Sequence, residues 1–252
     1  MKLRLLPFCT ALTSTLLLTP ARADDVRVAV AANFATPLKA LALDFEKTTG
    51  HKLLLSAGAT GKLFAQIKGG APFDVFLSAD THTPARLIQE GLAVAGTQYT
   101  YATGRLILWS ADAQKVDSQG AVLKTGTFKH LAIAAPNLAP YGAAAQQTLT
   151  QLGLITALTP RLVQGESIGQ TYSFVATGNA ELGFVALSQV TENGKLRQGS
   201  GWIVPNQMHS PLHQDAVLLN AGKAKPAAAA LLIYLKTEKS KSVIRSLGYE
   251  TP

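Results

Sequence analysis

The chain alternates short apolar runs with stretches whose apolar residues recur at helical spacing. Residues 26–32 (Val-Arg-Val-Ala-Val-Ala-Ala) form a run suited to a buried strand. Asn33 and Thr36 then precede Pro37, and this order predicts a helix from near Thr36 through Phe45. A second strand is expected over 52–57, followed by Gly58-Ala59-Thr60-Gly61 and a helix over 62–68. A third covers 74–77, with Ser78-Ala79-Asp80 at its exit and a helix over 84–90. Strands and helices taking turns at this interval indicate βαβ units and a largely parallel sheet.

After Gly91 the rhythm changes. Strands are expected over 106–109, 131–134, 162–163 and 182–185, with helices over 142–152 and 168–177. A strand over 215–219 returns from this second set, and helices over 225–236 and 239–247 close the chain. No repeat, low-complexity tract or long linker interrupts the pattern. Two lobes joined by short crossings are therefore expected, the crossings lying near 101–105 and 209–214.

The first 23 residues stand apart. Lys2 and Arg4 precede a mostly apolar run over 5–18, and Ala21-Arg22-Ala23 fits a cleavage site, so 1–23 reads as a secretory signal. The single cysteine, Cys9, falls inside it; the mature chain then has no thiol, which excludes disulfides, thiolate metal sites and a cysteine nucleophile. Of the 252 residues, 47% are hydrophobic and 15% charged, which excludes a disordered chain. The formal charge is +8, and removal of Lys2, Arg4 and Arg22 leaves 20 basic against 15 acidic residues. A modest positive field favours capture of small anions. Because the basic residues are scattered and no aromatic-basic stripe is present, nucleic acid is not an expected partner.

In open α/β sheets ligands bind beyond the carboxyl ends of the strands, where helix N-termini present unpaired N–H groups. The strand-to-helix junctions offer Asn33, Ala59-Thr60-Gly61, Pro140-Tyr141-Gly142 and Glu166-Ser167-Ile168. The Asn33 amide and the Thr60 hydroxyl add neutral side-chain donors. Donors without an obligatory charge suit a fully ionised anion, which has only acceptors to offer. Helix capping by Asn33, Thr60 and Ser167 is the competing explanation.

Several enzyme patterns are present in outline. Gly165-Glu166-Ser167-Ile168-Gly169 fits the Gly-x-Ser-x-Gly elbow of a serine hydrolase, with Glu192 and His209 or His213 in the required order. Gly61-Lys62 lacks both the glycine spacing and the hydroxyl of a nucleotide loop. Pro211 separates His209 from His213, which argues against a shared zinc-binding face. Asp74 and Asp80 flank a strand end, where they could serve as acids, cap a helix or brace the face between lobes.

Taken in order, AVAANF (29–34), GATGKLFAQI (58–67), APFDVFLSAD (71–80), AAPNLAPYGAAAQQTLTQLGL (134–154), GESI (165–168) and AELGFVALSQV (180–190) resemble the molybdate-binding proteins of bacterial molybdate ABC transporters. The resemblance covers essentially the whole mature chain. It implies a two-lobed α/β fold of the type II periplasmic binding protein kind, each lobe a mostly parallel sheet flanked by helices, with the ligand cleft between lobes. The implied division is 24–104 with 213–252 as lobe 1 and 105–212 as lobe 2. The implied ligand is molybdate or tungstate, held by Asn33, Thr60, Tyr141 and Ile168, the last two through backbone N–H groups, with molybdenum bound as its oxyanion and not coordinated by the protein.

The resemblance further implies a monomer in the periplasm that hands its ligand to a membrane permease, without catalysis or a cofactor. Some members carry a tyrosine donor in the segment matched by 184–187. Here Ala186 stands at that position, and Tyr172 is a possible substitute. Sulfate binding, or hydrolysis at Ser167, are the alternative readings.

Overall fold

The structure, a computed structural model, describes residues 24–252. The expected signal segment and Cys9 lie outside the described residues. The chain begins with β1 (Asp25–Ala31), a single turn of tight helix (Ala32–Phe34) and α1 (Ala35–Thr49), which ends at Gly50 in the left-handed conformation (φ +76°). Next come β2 (Lys52–Gly58), α2 (Thr60–Lys68), β3 (Val75–Leu77), α3 (His82–Gln89) and β4 (Tyr99–Gly104). The chain then crosses to a second sheet through Arg105.

There it forms β5 (Leu106–Ser110), α4 (Val122–Thr125), β6 (Leu131–Ala134), α5 (Pro140–Gln151), α6 (Ile155–Leu158), β7 (Leu162–Gly165), α7 (Ile168–Ala176), β8 (Leu182–Ala186) and α8 (Leu187–Val190). A small hairpin, β9 (Thr191–Glu192) with β10 (Lys195–Leu196), leads to β11 (Ser200–Ile203). The chain returns as β12 (Leu212–Leu218) and ends in α9 (Pro226–Leu235) and α10 (Glu238–Ser246). Pro140 and Pro226 occupy first-turn positions, where the missing N–H removes no helical bond.

The first sheet has the order β2-β1-β3-β12-β4 and the second β11-β5-β8-β6-β7. The expected parallel arrangement holds for β1 with β2 and β3, and for β6 with β7 and β8. The other pairs are antiparallel because one strand in each sheet, β12 in the first and β5 in the second, runs against the remaining four, so each sheet is mostly parallel in strand direction with one reversed strand. The cause is connectivity: a strand that enters a sheet from the neighbouring one has no crossover helix to reverse its direction.

The expected crossings shift for the same reason. Tyr99–Gly104 is a strand because β12 pairs with it, Gln214 lying opposite Ala102. The chain therefore passes between sheets at Arg105 and again over 204–211, and residue 212 already pairs in the first sheet.

The core divides with the sheets. Phe34, Leu38, Phe45, Leu231 and Ile244 bury one face of the first sheet beneath α1, α9 and α10. Leu63, Ile67 and Leu87 cover its other face from α2 and α3. In the second sheet Leu108, Ile133, Phe184 and Leu149 pack together, while Trp109, Val175 and Val185 pack on the far side.

Candidate functional site

Four helix N-termini meet between the sheets. β1 leads into the turn before α1, β2 into α2, β6 into α5 and β7 into α7. The first N–H groups of a helix have no partner within it and are normally satisfied by a side-chain oxygen at the N-cap. Here three of the four capping positions are alanine: Ala31, Ala59 and Ala139. None of these helices has an acidic residue in its first turn. At these three ends the sequence thus leaves out both groups that ordinarily answer the positive end of a helix dipole.

These ends surround a small, partly open pocket with about 190 Å³ of empty space, part of it continuous with solvent, and room at its centre for roughly one water-sized sphere. Asn33, Thr60, Tyr141 and Ile168 all line it, and each is at least 97% buried. Alanine, glycine and proline make the rest of the wall, and among the described residues none of those lining it is charged. A wider cleft of about 730 Å³ adjoins it, shares Thr60, Ala79, Ala139 and Pro140, and opens past Asp80, Asn137 and Ser210.

The donors differ in kind. Thr60 Oγ1 accepts the Ala79 N–H at 3.3 Å, and a hydroxyl that accepts in this way keeps its own proton to donate. Tyr141 lies second in α5 and Ile168 first in α7, positions whose N–H groups point out of the helix end. Gly142 seats α5 against β6: a Cβ there would lie 2.2 Å from the Ala134 carbonyl oxygen.

Asn33 departs from expectation. Its amide nitrogen donates to Gln214 Oε1 at 2.7 Å and Tyr249 Oη at 3.0 Å, which uses both N–H groups. Its side chain therefore has no N–H left for the cavity it lines. Capping is not its role or that of Thr60, since neither sits at an N-cap. Ser167 is a cap, accepting the Gln170 N–H at 3.3 Å.

The remaining candidates also find places. Asp80 receives the Thr83 N–H at 2.7 Å and so caps α3. Asp74, 1% exposed, receives the Arg27 N–H at 2.8 Å and Lys225 Nζ at 2.9 Å, bracing β1 against the start of α9. Tyr172 stacks on Trp109 with ring centroids 5.5 Å apart, on the far side of the second sheet. It does not line the cavity. Ala186 is buried within β8, pairs with Leu106, and is absent from the cavity wall. His209 Nδ1 lies 2.8 Å from the Ser210 carbonyl and His213 Nδ1 lies 3.0 Å from Thr103 Oγ1. Neither imidazole is bonded to Ser167.

Sequence reasoning missed Tyr101, Ser188, Gln214 and Tyr249, which gather behind Asn33. The sequence marks none of them, since Gln214 sits between His213 and Asp215 in β12 and nothing local sets it apart. Burial raises the pKa of the Tyr101 and Tyr141 hydroxyls well above the ordinary value, and pushes that of Tyr249 up to about 12. A raised folded-state pKa contributes stability that is complete below the ordinary value near 10 and disappears as pH rises through about 12. Melting of the protein should accordingly fall between pH 10 and 12, and by less in Tyr249→Phe; an equal fall in both would place the alkaline sensitivity elsewhere.

The two sheets are bridged around the cavity. The Gly61 N–H donates to the Leu138 carbonyl at 2.9 Å, and Lys62 pairs with Glu166 across the cleft. Both of those charged side chains are about half exposed, so the ion pair contributes at most about 1 kcal/mol.

Two mixed sheets joined by two crossings, with helix N-termini converging on a cavity between them, define a type II periplasmic binding protein. The chain belongs to the bacterial extracellular solute-binding protein family, whose sequence model matches residues 26–250. It is 57% identical to the molybdate-binding protein ModA of Azotobacter vinelandii over 95% of each chain. It is 50% identical to the molybdate-binding protein ModA of Rhodobacter capsulatus, covering 92% of this chain and 90% of that one. Among solved structures, the Azotobacter vinelandii periplasmic molybdate-binding protein superposes with a TM-score of 0.88 at 42% identity, covering 90% of this chain and 99% of the other.

Proposed function

We propose that the protein captures molybdate reversibly, with tungstate as a second ligand, and delivers it to the membrane permease of an ABC transporter. It does so in the periplasm as a monomer and catalyses no reaction. The observation that carries this reading is the buried-walled, uncharged pocket at four helix N-termini with alanine at three of the caps. The names of the two ModA relatives supply the choice of anion.

A tetrahedral dianion accepts hydrogen bonds at four oxygens. Bonds to a charged acceptor are each worth roughly 1.5–3 kcal/mol, so a handful reaches the ~8–12 kcal/mol of micromolar to nanomolar binding after desolvation is subtracted. Asn33, Tyr141 and Ile168 supply backbone N–H groups and Thr60 its hydroxyl. Molybdenum itself meets no protein atom, because oxygen surrounds it. Residues 24–104 with 212–252 act as lobe 1 and residues 105–211 as lobe 2, the boundary expected at 213 moving by one because Leu212 pairs with Gly104, and an anion touching both shifts the population toward the closed form.

Selectivity has two sources. A protonated phosphate would bury an O–H with no acceptor to receive it, at a cost of about 1–3 kcal/mol. Sulfate is ionised and tetrahedral, so only cavity size tells it from molybdate. Calorimetry with molybdate, tungstate, sulfate and phosphate tests the reading: tight binding of the first two and weak binding of the others is expected, whereas sulfate binding as tightly as molybdate would overturn the choice of anion.

Two substitutions sharpen the test. Thr60→Val removes one hydroxyl donor at nearly constant volume and should weaken molybdate by about 1–3 kcal/mol; unchanged affinity would move Thr60 out of the binding set. Ser167→Ala removes a cap, with an expected stability loss of about 1 kcal/mol, and should leave affinity nearly intact. Loss of an ester-hydrolysing activity in that variant would instead favour the hydrolase.

A further inference from the structure

A buried, uncharged cluster lies behind the cavity. Gln214 is fully buried on β12; its Oε1 accepts the Asn33 amide at 2.7 Å and Tyr101 Oη at 3.2 Å, and its Nε2 donates to Tyr141 Oη at 3.2 Å. Tyr249 Oη donates to the Asn33 carbonyl at 2.9 Å and accepts from Asn33 Nδ2 and from Ser188 Oγ, the latter at 2.9 Å. Tyr101 and Gln214 lie in strands of the first sheet and Asn33 in the turn that follows its β1, and Tyr249 is tied to that sheet by the pairing of Thr103 with Glu250. Tyr141 and Ser188, at the starts of α5 and α8, belong to the second. The Gln214–Tyr141 and Tyr249–Ser188 bonds therefore join the two halves.

Space for the first bond is made by a missing side chain. Gly104 ends β4 one residue before the crossing, and a Cβ there would lie 2.0 Å from Tyr141 Oη and 2.7 Å from Gln214 Nε2. The cluster also has a chemistry suited to a device that must open. A buried ion pair would be desolvated each time the halves close, at a large penalty, and its field would act on a nearby dianion. Neutral amide and hydroxyl groups do neither. Each bond is individually weak, and water replaces it when the halves separate.

We propose that Gln214 and Tyr249 are positioning residues that fasten the closed form, so that the rate at which the anion leaves is set in part by hydrogen bonds the anion does not make. Gln214 links Asn33 on one side of the cavity to Tyr141 on the other, holding two of the cavity's N–H groups in register through a single side chain. This inference rests on the molybdate reading above. Loss of one neutral bond from the closed state should raise the dissociation rate about two- to tenfold, with little change in the association rate, which precedes closure.

The test is stopped-flow release of molybdate, with calorimetry and melting of the anion-free protein, on the whole mature chain and on Tyr141→Phe, Ser188→Ala and Gln214→Leu. Tyr141→Phe keeps its backbone N–H at the cavity and loses only the hydroxyl. It and Ser188→Ala should each speed release about two- to tenfold, and together should multiply, because they remove separate bonds. Tyr141→Phe combined with Gln214→Leu should fall short of the product, because the two share a bond. Should Gln214→Leu fail to fold, the other two variants still decide the matter. Release rates equal to the unmodified protein's in both Tyr141→Phe and Ser188→Ala would overturn the proposal. So would a melting loss as large in the anion-free protein as in the loaded one, since the cluster would then serve packing alone. Failure of the unmodified protein to bind molybdate would instead overturn the underlying reading, and this one with it.

Discussion

Replacing Ala139 with Asp is expected to abolish molybdate binding while leaving the empty protein at least as stable as before. Ala139 lines the cavity and caps α5 with an extended backbone (φ −130°, ψ 122°), the conformation from which a capping side chain reaches the next N–H groups. The Gly142 N–H is already bonded to the Ala139 carbonyl at 2.9 Å. An aspartate carboxylate would therefore take the Tyr141 N–H, the donor assigned here to the anion. In the open protein that carboxylate meets water, so the helix gains about 0.5–2 kcal/mol of cap at little desolvation cost. In the closed form it would oppose a dianion in a site with no cation to screen it. The lost charge-assisted bond alone costs roughly 1.5–3 kcal/mol, about 10- to 150-fold in affinity, and the repulsion between carboxylate and dianion in an uncharged site adds to it. Ala139→Asn, a cap without charge, should fall between. Calorimetry and melting curves check both halves of the expectation, and affinity within tenfold of the unmodified protein would remove α5 from the site.

Gly142→Ala is expected to have the second largest effect, and on both quantities at once. The added methyl would meet backbone atoms, the Ala134 oxygen at 2.2 Å and its carbonyl carbon at 2.7 Å, at the end of a strand held between two neighbours. The start of α5 must move away from β6, with a cost of about 2–3 kcal/mol as for other overpacked sites. For a chain of this size that lowers the melting temperature by roughly 4–12 °C. The Tyr141 N–H moves with the helix, and a hydrogen bond weakens steeply with distance and angle, so affinity should fall about 10- to 100-fold. A variant that melts lower but binds normally would mean that the α5 terminus carries no ligand contact.

The four junctions could be read from the sequence because each is local. An apolar run, a break and a helix start lie within ten residues, and strands that run parallel must present their carboxyl ends on one edge. That was enough to bring Asn33, Thr60, Tyr141 and Ile168 to one cavity. The roles of the side chains were harder. Asn33 looks like a donor in isolation, yet its amide is held by Gln214 and Tyr249, 181 and 216 residues away in sequence. No local pattern marks such partners. Strand β4 was hidden for a related reason: Tyr99–Gly104 reads as a connection until β12 returns from the other sheet to pair with it. The alanines at the caps are as informative as the polar residues beside them: Thr60 and Asn33 are cap-forming types, yet the positions before α2 and the α1 turn belong to Ala59 and Ala31.

Diffraction at the molybdenum absorption edge, from crystals of the mature protein grown with molybdate, tests the central claim most directly. A single anomalous peak is predicted inside the cavity, with the N–H groups of Asn33, Tyr141 and Ile168 and the Thr60 hydroxyl each about 2.7–3.2 Å from an oxygen of the anion, and no lysine or arginine in contact. A peak elsewhere in the molecule, or Lys62 released from Glu166 to grip the oxide, would contradict it.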